Sequence, residues 1–169
     1  MIHIYYGDGK GKTTAACGIA LRAAGSGMRV LFTQFFKSGK SSEIDSLEHL
    51  PTVTVRLPSL WHGRFKNMSD QQKKEIGACY SDLLESIISS AQDYDMIVLD
   101  EGVHAYRYEL IDRQQLLSFL KAEGSAREIV LTGRNPASEL LDLADYATEM
   151  RKKKHPFDRG VFGRKGIEF

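Results

Sequence analysis

The chain has 169 residues, a length typical of one domain, and residues 1–169 are predicted to form a single domain. Hydrophobic residues make up 42% and charged residues 27%, values that exclude a disordered or collagen-like chain. The 23 Lys and Arg residues almost balance the 22 Asp and Glu residues. The resulting net charge of +1 gives no reason to expect nucleic acid or an anionic membrane surface as a partner.

Cysteine content and apolar runs indicate the expected compartment. The two cysteines, Cys17 and Cys79, are far apart and form no CxxC pair, which argues against a disulfide scaffold and a zinc site. No run approaches the ~20 apolar residues that a membrane span needs. Residues 1–6 lack the basic region and long apolar core of a signal peptide. We therefore expect a cytoplasmic protein without a membrane partner.

Strand-like and helix-like segments alternate along the chain, which is typical of a mainly parallel β-sheet covered by helices. Short apolar runs predict strands over residues 2–6, 29–36, 52–57, 96–99, 128–131 and 146–150. Apolar residues at steps of three and four, together with an Ala-rich stretch, predict helices over 13–24, 69–92, 112–121 and 136–144, the last opened by Pro136. Residues 37–43 and 58–67 are expected to be long loops, which in compact α/β domains are often functional.

The strongest motif, GDGKGKTT, lies between the first predicted strand and the first predicted helix. Its glycines allow main-chain amides to surround an anion, and the helix N-terminus adds a partial positive charge. Lys12 would contact phosphate oxygens, and the hydroxyl of Thr13 would ligate Mg²⁺. The spacing departs by one residue from GxxxxGK[ST], because Tyr6 stands where the first glycine is expected. The predicted ATP-binding residues of this phosphate loop are Gly7, Asp8, Gly9, Lys10, Gly11, Lys12, Thr13 and Thr14. A solvated surface lysine is an equal alternative for Lys10.

Two further predicted strands end in charged residues. The strand over 96–99 is followed by Asp100 and Glu101, and in P-loop folds the acid-bearing strand is expected to lie beside the loop. Both carboxylates would then be near a metal held by Thr13, and the sequence leaves open which of them ligates it. By the same strand-end argument, Arg134 would point at a polyphosphate, with a surface salt bridge as the alternative. Arg22 is a further ATP-binding candidate, with a structural role as its alternative.

Other residues give weaker indications. The five histidines form no nucleophile–base–carboxylate triad and are expected to be structural. The basic run 151–154 fits a solvated strand edge or an anionic ligand. Trp61 lies in a predicted loop with Leu60 and Phe65, where an aromatic side chain either covers the core or lines an apolar ligand site.

Together these residues resemble the P-loop family of ATP:corrinoid adenosyltransferases, which make adenosylcobalamin. The resemblance implies a single-domain α/β P-loop NTPase (RecA-like) fold, with a mainly parallel sheet flanked by helices. It follows family order over nearly the whole chain. The residues that show the resemblance are 7–16, Gln34, Phe35, Lys37, 99–101, 132–134, 141–145, 154–158 and 166–169.

The resemblance also implies the reaction and its participants. ATP would lie reversed relative to ordinary P-loop enzymes, and Co(I) of a reduced corrinoid would attack the ribose 5′ carbon and release triphosphate. Lys12, Glu101 and Arg134 would be catalytic, with Mg²⁺ or Mn²⁺ held by Thr13 and by Asp100 or Glu101. An electron donor for Co(II) and a homodimer are implied as well. The preferred corrinoid, complete cobalamin or an earlier cobinamide or cobyrinic acid form, is left open.

The same resemblance assigns the corrinoid contacts. Family members have a Phe-x-Trp pair that displaces the lower cobalt ligand and so eases reduction. Trp61 matches this pair, but Ser59 stands at the phenylalanine position, so Leu60 or Phe65 would substitute.

Two other functions remain as alternatives. Asp100-Glu101-Gly102 is similar to the acid-rich motif of thymidine kinases, which indicates a nucleoside kinase or ATPase, although the zinc-type cysteine pairs are absent from the sequence. A non-catalytic nucleotide switch or corrinoid chaperone is the other alternative. The complete set of Lys12, Thr13, Asp100 and Glu101 argues against it.

Overall fold

A computed structural model describes residues 1–38 and 41–167. Its strands are β1 (Ile2–Tyr6), β2 (Val30–Gln34), β3 (Val53–Val55), β4 (Met96–Asp100), β5 (Glu128–Gly133) and β6 (Tyr146–Glu149). Its helices are α1 (Lys12–Gly25), α2 (Ser42–Leu47), α3 (Asp70–Ser89), α4 (Gly102–Arg107), α5 (Arg113–Glu123) and α6 (Ser138–Leu143). Short 3₁₀ helices span Phe65–Asn67, Ala91–Asp93 and Pro156–Arg159.

Within the described ranges the six strands form one parallel sheet in the order β3-β2-β4-β5-β1-β6. In register, Phe32 pairs with Val98 and Val98 with Val130, so these side chains share one face of the sheet. Their chain neighbours point to the opposite face, because side chains alternate along a strand. The sheet therefore has two buried faces, which confirms the predicted α/β fold with a parallel sheet.

Each face of the sheet is covered by a different helix. The alanines of α1 pack on the face that carries Val98 and Val130, where their small side chains permit a close approach. The long apolar stripe of α3, including Ile76 and Leu84, packs on the other face. Fully burying one such Ile or Leu stabilises the fold by about 1.5–3 kcal/mol. Reciprocal hydrogen bonds between Ser69 and Gln72 cap the start of α3.

The structure corrects several predicted elements. Residues 37–43 are not wholly a loop, because α2 begins at Ser42. Pro136 does not open a helix, since α6 starts at Ser138 after an extended Ala137. Residues 102–107 form α4, a helix that the sequence analysis missed.

The sheet topology brings the predicted functional residues to one edge. Because all strands are parallel, the carboxyl ends of β1, β2, β4 and β5 lie at the same edge of the sheet. The segments that follow them begin at Gly7, Phe35, Glu101 and Arg134. No helix in the part of the chain that the structure describes has the length and apolarity needed to cross a bilayer.

Candidate active site

The phosphate loop connects β1 to α1 and is braced by the chain that follows β6. The N–H of Gly9 donates to the carbonyl oxygen of Met150 at 2.7 Å, and the N–H of Met150 donates to Tyr6 at the same distance. A Cβ atom would lie 2.4 Å from that Met150 oxygen if placed on Gly7 and 2.7 Å from it if placed on Gly9. Gly7 also has a φ of 113°, which favours glycine. The glycines thus permit the approach of a second backbone as well as the turn.

Lys12 is the first residue of α1, and its side chain folds back across the loop. Its Nζ donates a 2.7 Å hydrogen bond to the carbonyl oxygen of Gly9, and the residue is only 8% exposed. Burial, and next the positive charge of Arg134, lower the pKa of Lys12 below its ordinary value. Two cations therefore approach each other at the loop, an arrangement that a polyphosphate would stabilise.

A fully buried carboxylate, Asp100, lies beside the phosphate loop at the end of β4. It accepts hydrogen bonds from the hydroxyl of Thr13 at 2.9 Å, the hydroxyl of Thr132 at 2.6 Å and the amide of Gln34 at 3.2 Å. Lys37 Nζ donates to the same carboxylate at 2.9 Å and to Thr13 Oγ1 at 3.1 Å. The network links residues at the carboxyl ends of four strands, β1, β2, β4 and β5, and it satisfies a charge that would otherwise be costly to bury.

Lys37 is surrounded by carboxylates. Its Nζ lies 3.5 Å from Glu43 Oε1 on α2, and Gln34 bridges Glu43 and Asp100. Burial disfavours the charge on Lys37, but the nearby carboxylates, Asp100 foremost, outweigh it and raise the pKa of this ammonium group. Lys37 is therefore held in its protonated, positively charged form in the network.

Glu101 follows Asp100 and turns toward a different part of the site. Its backbone is left-handed, with a φ of 59°, and its N–H donates to Thr132 Oγ1 at 2.8 Å. Its carboxylate contacts His104 Nδ1, one turn along α4. Burial would raise the pKa of Glu101, but the hydrogen bond and charge of His104, with smaller effects from Lys37, lower it. The side chain is thus held ionised.

Beyond Glu101 lies an aromatic cavity of about 330 Å³. Its lining residues are Phe36, Lys37, Trp61, Gly63, Arg64, Phe65, Glu101, His104 and Tyr108. Phe65 and Tyr108 stack with ring centroids 4.5 Å apart, and Phe36 meets both edge-on at 6.0 Å. Flat aromatic walls next to charged groups suit a planar ligand that carries a reactive polar centre.

Comparison with known proteins identifies the family. The family described as ATP:corrinoid adenosyltransferase BtuR/CobO/CobP has a model that matches residues 1–169. The chain belongs to this family. Corrinoid adenosyltransferase CobA of Salmonella typhimurium is 33% identical over 171 residues, which cover 100% of this chain and 85% of that protein. Corrinoid adenosyltransferases of Escherichia coli K12 and Pseudomonas aeruginosa are 30% and 28% identical, covering 100% and 98% of this chain and 85% and 82% of theirs.

A solved structure supports the fold. EssC (ATPases 2 and 3) from Geobacillus thermodenitrificans superposes with a TM-score of 0.52 at 13% identity, over 98% of this chain and 34% of that one. At this identity the likeness concerns the fold alone, and it agrees with the predicted P-loop NTPase fold. The whole-chain family match supports the corrinoid adenosyltransferase prediction and not the alternative of a nucleoside kinase or ATPase.

In this adenosyltransferase the structure brings most of the predicted site residues together. Lys12, Thr13, Asp100 and Glu101 lie close together at the carboxyl edge of the sheet. Arg134 lines a second space, the C-terminal cavity of about 500 Å³, whose other lining residues are Asp8, Lys152, His155, Phe157 and Asp158. The side chain of Asp8 accepts the N–H of Lys152 at 2.9 Å, which ties the basic run 151–154 to the phosphate loop.

Other predicted residues lie elsewhere. Arg22 is in the last turn of α1, exposed and about 15 Å along the helix axis from Lys12, so the structure does not bring it to the loop. Lys10 and Thr14 are exposed, although Thr14 lines a cavity together with Thr13 and Lys37. Leu60 is 39% exposed and is not among the described residues that line the aromatic cavity. Its neighbour Trp61 does line this cavity.

The sequence analysis missed several residues of this site. His104 was expected to be structural, yet it contacts Glu101 and lines the aromatic cavity. Lys37 and Gln34 contributed to the family resemblance but were given no role, although Gln34 ends β2 and Lys37 follows it, so the strand-end argument applies to both. Of the C-terminal motif over 166–169, residues 168 and 169 lie outside the described residues.

Proposed function

We propose that this chain transfers the 5′-deoxyadenosyl group of ATP to Co(I) of a reduced corrinoid, forming adenosylcobalamin or a precursor and releasing triphosphate. The observation that carries the proposal is the juxtaposition of the phosphate loop with the aromatic cavity across Glu101. A loop that holds polyphosphate and a cavity that accepts a large planar ring must lie side by side for this reaction. An enzyme that only transfers phosphate from ATP to water has no use for the second feature.

The distribution of charge supports the reversed orientation of ATP. Arg134 and Lys152 line the C-terminal cavity on the β1 and β6 side, and Arg134 lies close enough to Lys12 to lower its pKa. Aromatic rings lie on the opposite side, around Phe36 and Phe65. Triphosphate directed toward the cations would leave the ribose 5′ carbon facing the aromatic cavity, where the corrinoid binds in this proposal.

The chemistry places its main demand on the leaving group. The electron pair of Co(I) forms the new bond to the 5′ carbon while the carbon–oxygen bond breaks and its electrons pass to triphosphate. The nucleophile belongs to the substrate, so no protein base has to be activated. The negative charge that grows on triphosphate is met by loop amides, by Lys12 and by Arg134, which we propose as catalytic residues together with Glu101.

The donor groups of the site fit Mg²⁺ or Mn²⁺. The hydroxyl of Thr13 and the carboxylate of Asp100 are hard oxygen ligands 2.9 Å apart, and the ammonium of Lys37 already contacts both. Among the described residues no group of three His, Cys, Asp or Glu could hold a metal alone. Magnesium in nucleotide sites usually takes only one or two carboxylates besides phosphate and water. When bound, the ion would neutralise phosphate charge, with Thr13 and Asp100 as direct ligands and Glu101 nearby.

We propose that Trp61 and Phe65 contact the corrin ring. Ser59 stands where the family has a phenylalanine. In this proposal the stacked pair of Phe65 and Tyr108 supplies the aromatic surface instead. Trp61 is 52% exposed, so its ring is free to cover a ligand. Leu60 is not among the described residues that line the cavity and contributes less. Reduction of Co(II) by an external electron donor, a homodimeric state and a cytoplasmic location complete the proposal, and the free thiols of Cys17 and Cys79 fit a reducing compartment.

A product analysis tests the function. The protein is incubated with ATP, Mg²⁺ and chemically reduced cobalamin without oxygen, and cobinamide replaces cobalamin in a parallel reaction. We expect light-sensitive adenosylcobalamin by absorbance and tripolyphosphate by ³¹P NMR, in equal amounts. Formation of ADP and phosphate instead would indicate an ATPase and contradict the proposal, as would unchanged ATP with a properly folded protein.

A further inference from the structure

Lys37 occupies the centre of the oxygen cluster at the phosphate loop. Its Nζ lies 2.9 Å from Asp100 Oδ2, 3.1 Å from Thr13 Oγ1 and 3.5 Å from Glu43 Oε1. These three oxygens come from β4, α1 and α2, so three elements converge on one ammonium group. Two of the three belong to the residues that would hold the divalent ion. The ammonium and the ion therefore compete for the same oxygens.

We propose that Lys37 is a tethered cation that holds the metal position of the nucleotide-free protein and must leave it before a divalent ion can bind. Asp100 is fully buried, and a buried carboxylate without a countercharge is strongly unfavourable. Lys37 supplies that countercharge while the metal is absent. A divalent ion would take over the same task and force the two positive charges apart.

The position of Lys37 in the chain allows this exchange. It lies in the segment between β2 and α2, and its side chain is 29% exposed. An ammonium group on a flexible four-carbon stem can change partners without a backbone rearrangement. Lys37 also lines the aromatic cavity, so a route leads from the oxygen cluster toward the place proposed for the nucleotide's reacting end.

The exchange couples metal binding to nucleotide binding. A displaced ammonium needs a new anionic partner, and the phosphates of ATP provide one at the neighbouring loop. Metal should therefore bind weakly to the nucleotide-free protein and more tightly with ATP, and by reciprocity ATP should bind more tightly with metal. This inference rests on the proposed function only in taking a nucleotide-bound divalent ion as the natural ligand of the cluster.

The test measures Mn²⁺ binding to the nucleotide-free protein by electron paramagnetic resonance. Lys37→Met and Lys37→Gln remove the charge, and Gln keeps a donor for Asp100 should the Met variant fail to fold. Lys37→Arg keeps the charge. Lys74→Met, an exposed lysine of α3, loses one charge at a distant place and serves as the matched control.

We expect both neutral variants to bind Mn²⁺ at least about tenfold more tightly than the unmodified protein. A tenfold change in affinity corresponds to the free energy of about one hydrogen bond to a charged group. Lys37→Arg and Lys74→Met should bind no more tightly. The gain should persist in about 0.5 M KCl, because direct displacement is not screened as a surface field is. Equal or weaker binding by both neutral variants, or a gain that salt abolishes, would overturn the inference. ATP and corrinoid are absent, so this failure would leave the transferase proposal standing.

Discussion

Replacing Lys12 tests whether the phosphate loop carries the reaction. Its Nζ is 2.7 Å from the Gly9 carbonyl oxygen, inside the turn where a phosphate oxygen would lie, and the nearby Arg134 helps to lower its pKa. Loss of one contact to the developing negative charge typically slows turnover by about 10²–10³, equivalent to about 2.7–4 kcal/mol of transition-state stabilisation. We expect that loss in kcat for Lys12→Ala and for Lys12→Met, which keeps the side-chain volume.

The assay uses saturating ATP and chemically reduced cobalamin, so that Co(II) reduction does not limit the rate. Burial and Arg134 disfavour the charge on Lys12, so the thermal midpoint of Lys12→Met should be no lower than that of the unmodified protein. Lys10→Met, at an exposed position of the same loop, should lose less activity than Lys12→Met. Near-normal turnover by both Lys12 variants would refute the assigned role, and an unfolded Lys12→Met would show that the lysine is structural.

Two substitutions and one labelling experiment test other parts of the structure. Gly9→Ala would place a Cβ 2.7 Å from the Met150 oxygen and should weaken ATP binding by calorimetry at least about tenfold, whereas Gly18→Ala on α1 meets open space and should not. Trp61→Ala should slow Co(II) reduction without changing ATP affinity, and unaffected reduction would remove its role. Burial raises the pKa of Cys17 to about 12, so iodoacetamide near pH 8 should alkylate it far more slowly than free cysteine, whereas rapid labelling by mass spectrometry would contradict its burial.

The elements that sequence analysis predicted well have strong local signals. Residues 96–99 form an unbroken apolar run, and a strand buried on both faces requires one. The stripe from Ile76 to Ile88 repeats at helical spacing for more than three turns, so α3 could be read without knowledge of its partners. The phosphate loop was predictable for a different reason, because its glycine and lysine spacing serves a ligand rather than the core.

The elements that were missed lack such signals. α2 and α4 have six residues each, fewer than two turns, so no period can emerge. The position of β5 between β1 and β4 depends on pairing between segments far apart in sequence. The same limit applies to Lys37, whose contact with Asp100 spans 63 positions and becomes apparent only when β2 and β4 are paired.

Two residues of the aromatic cavity have a backbone conformation that sequence patterns do not predict. The strand pattern extends to Phe36, but β2 stops at Gln34 because Phe36 has a φ of 56°, and Glu101 after β4 has a φ of 59°. Left-handed backbone at a non-glycine residue costs about 1–2 kcal/mol. The backbone N–H of each residue donates to a side-chain hydroxyl. Phe36 donates to Tyr80 at 2.7 Å, and Glu101 donates to Thr132 at 2.8 Å.

Glycine would adopt either turn without strain, but it would remove the ring of Phe36 or the carboxylate of Glu101. Each strained turn ends a strand abruptly and directs a functional side chain into the aromatic cavity. Propensity describes the conformations a residue favours, so it fails where the surrounding structure holds a residue in one that it disfavours. The two strained turns and the proposed reaction centre are therefore the same place for a physical reason: the strain directs the ring and the carboxylate to the side of the phosphate loop where the ribose would lie.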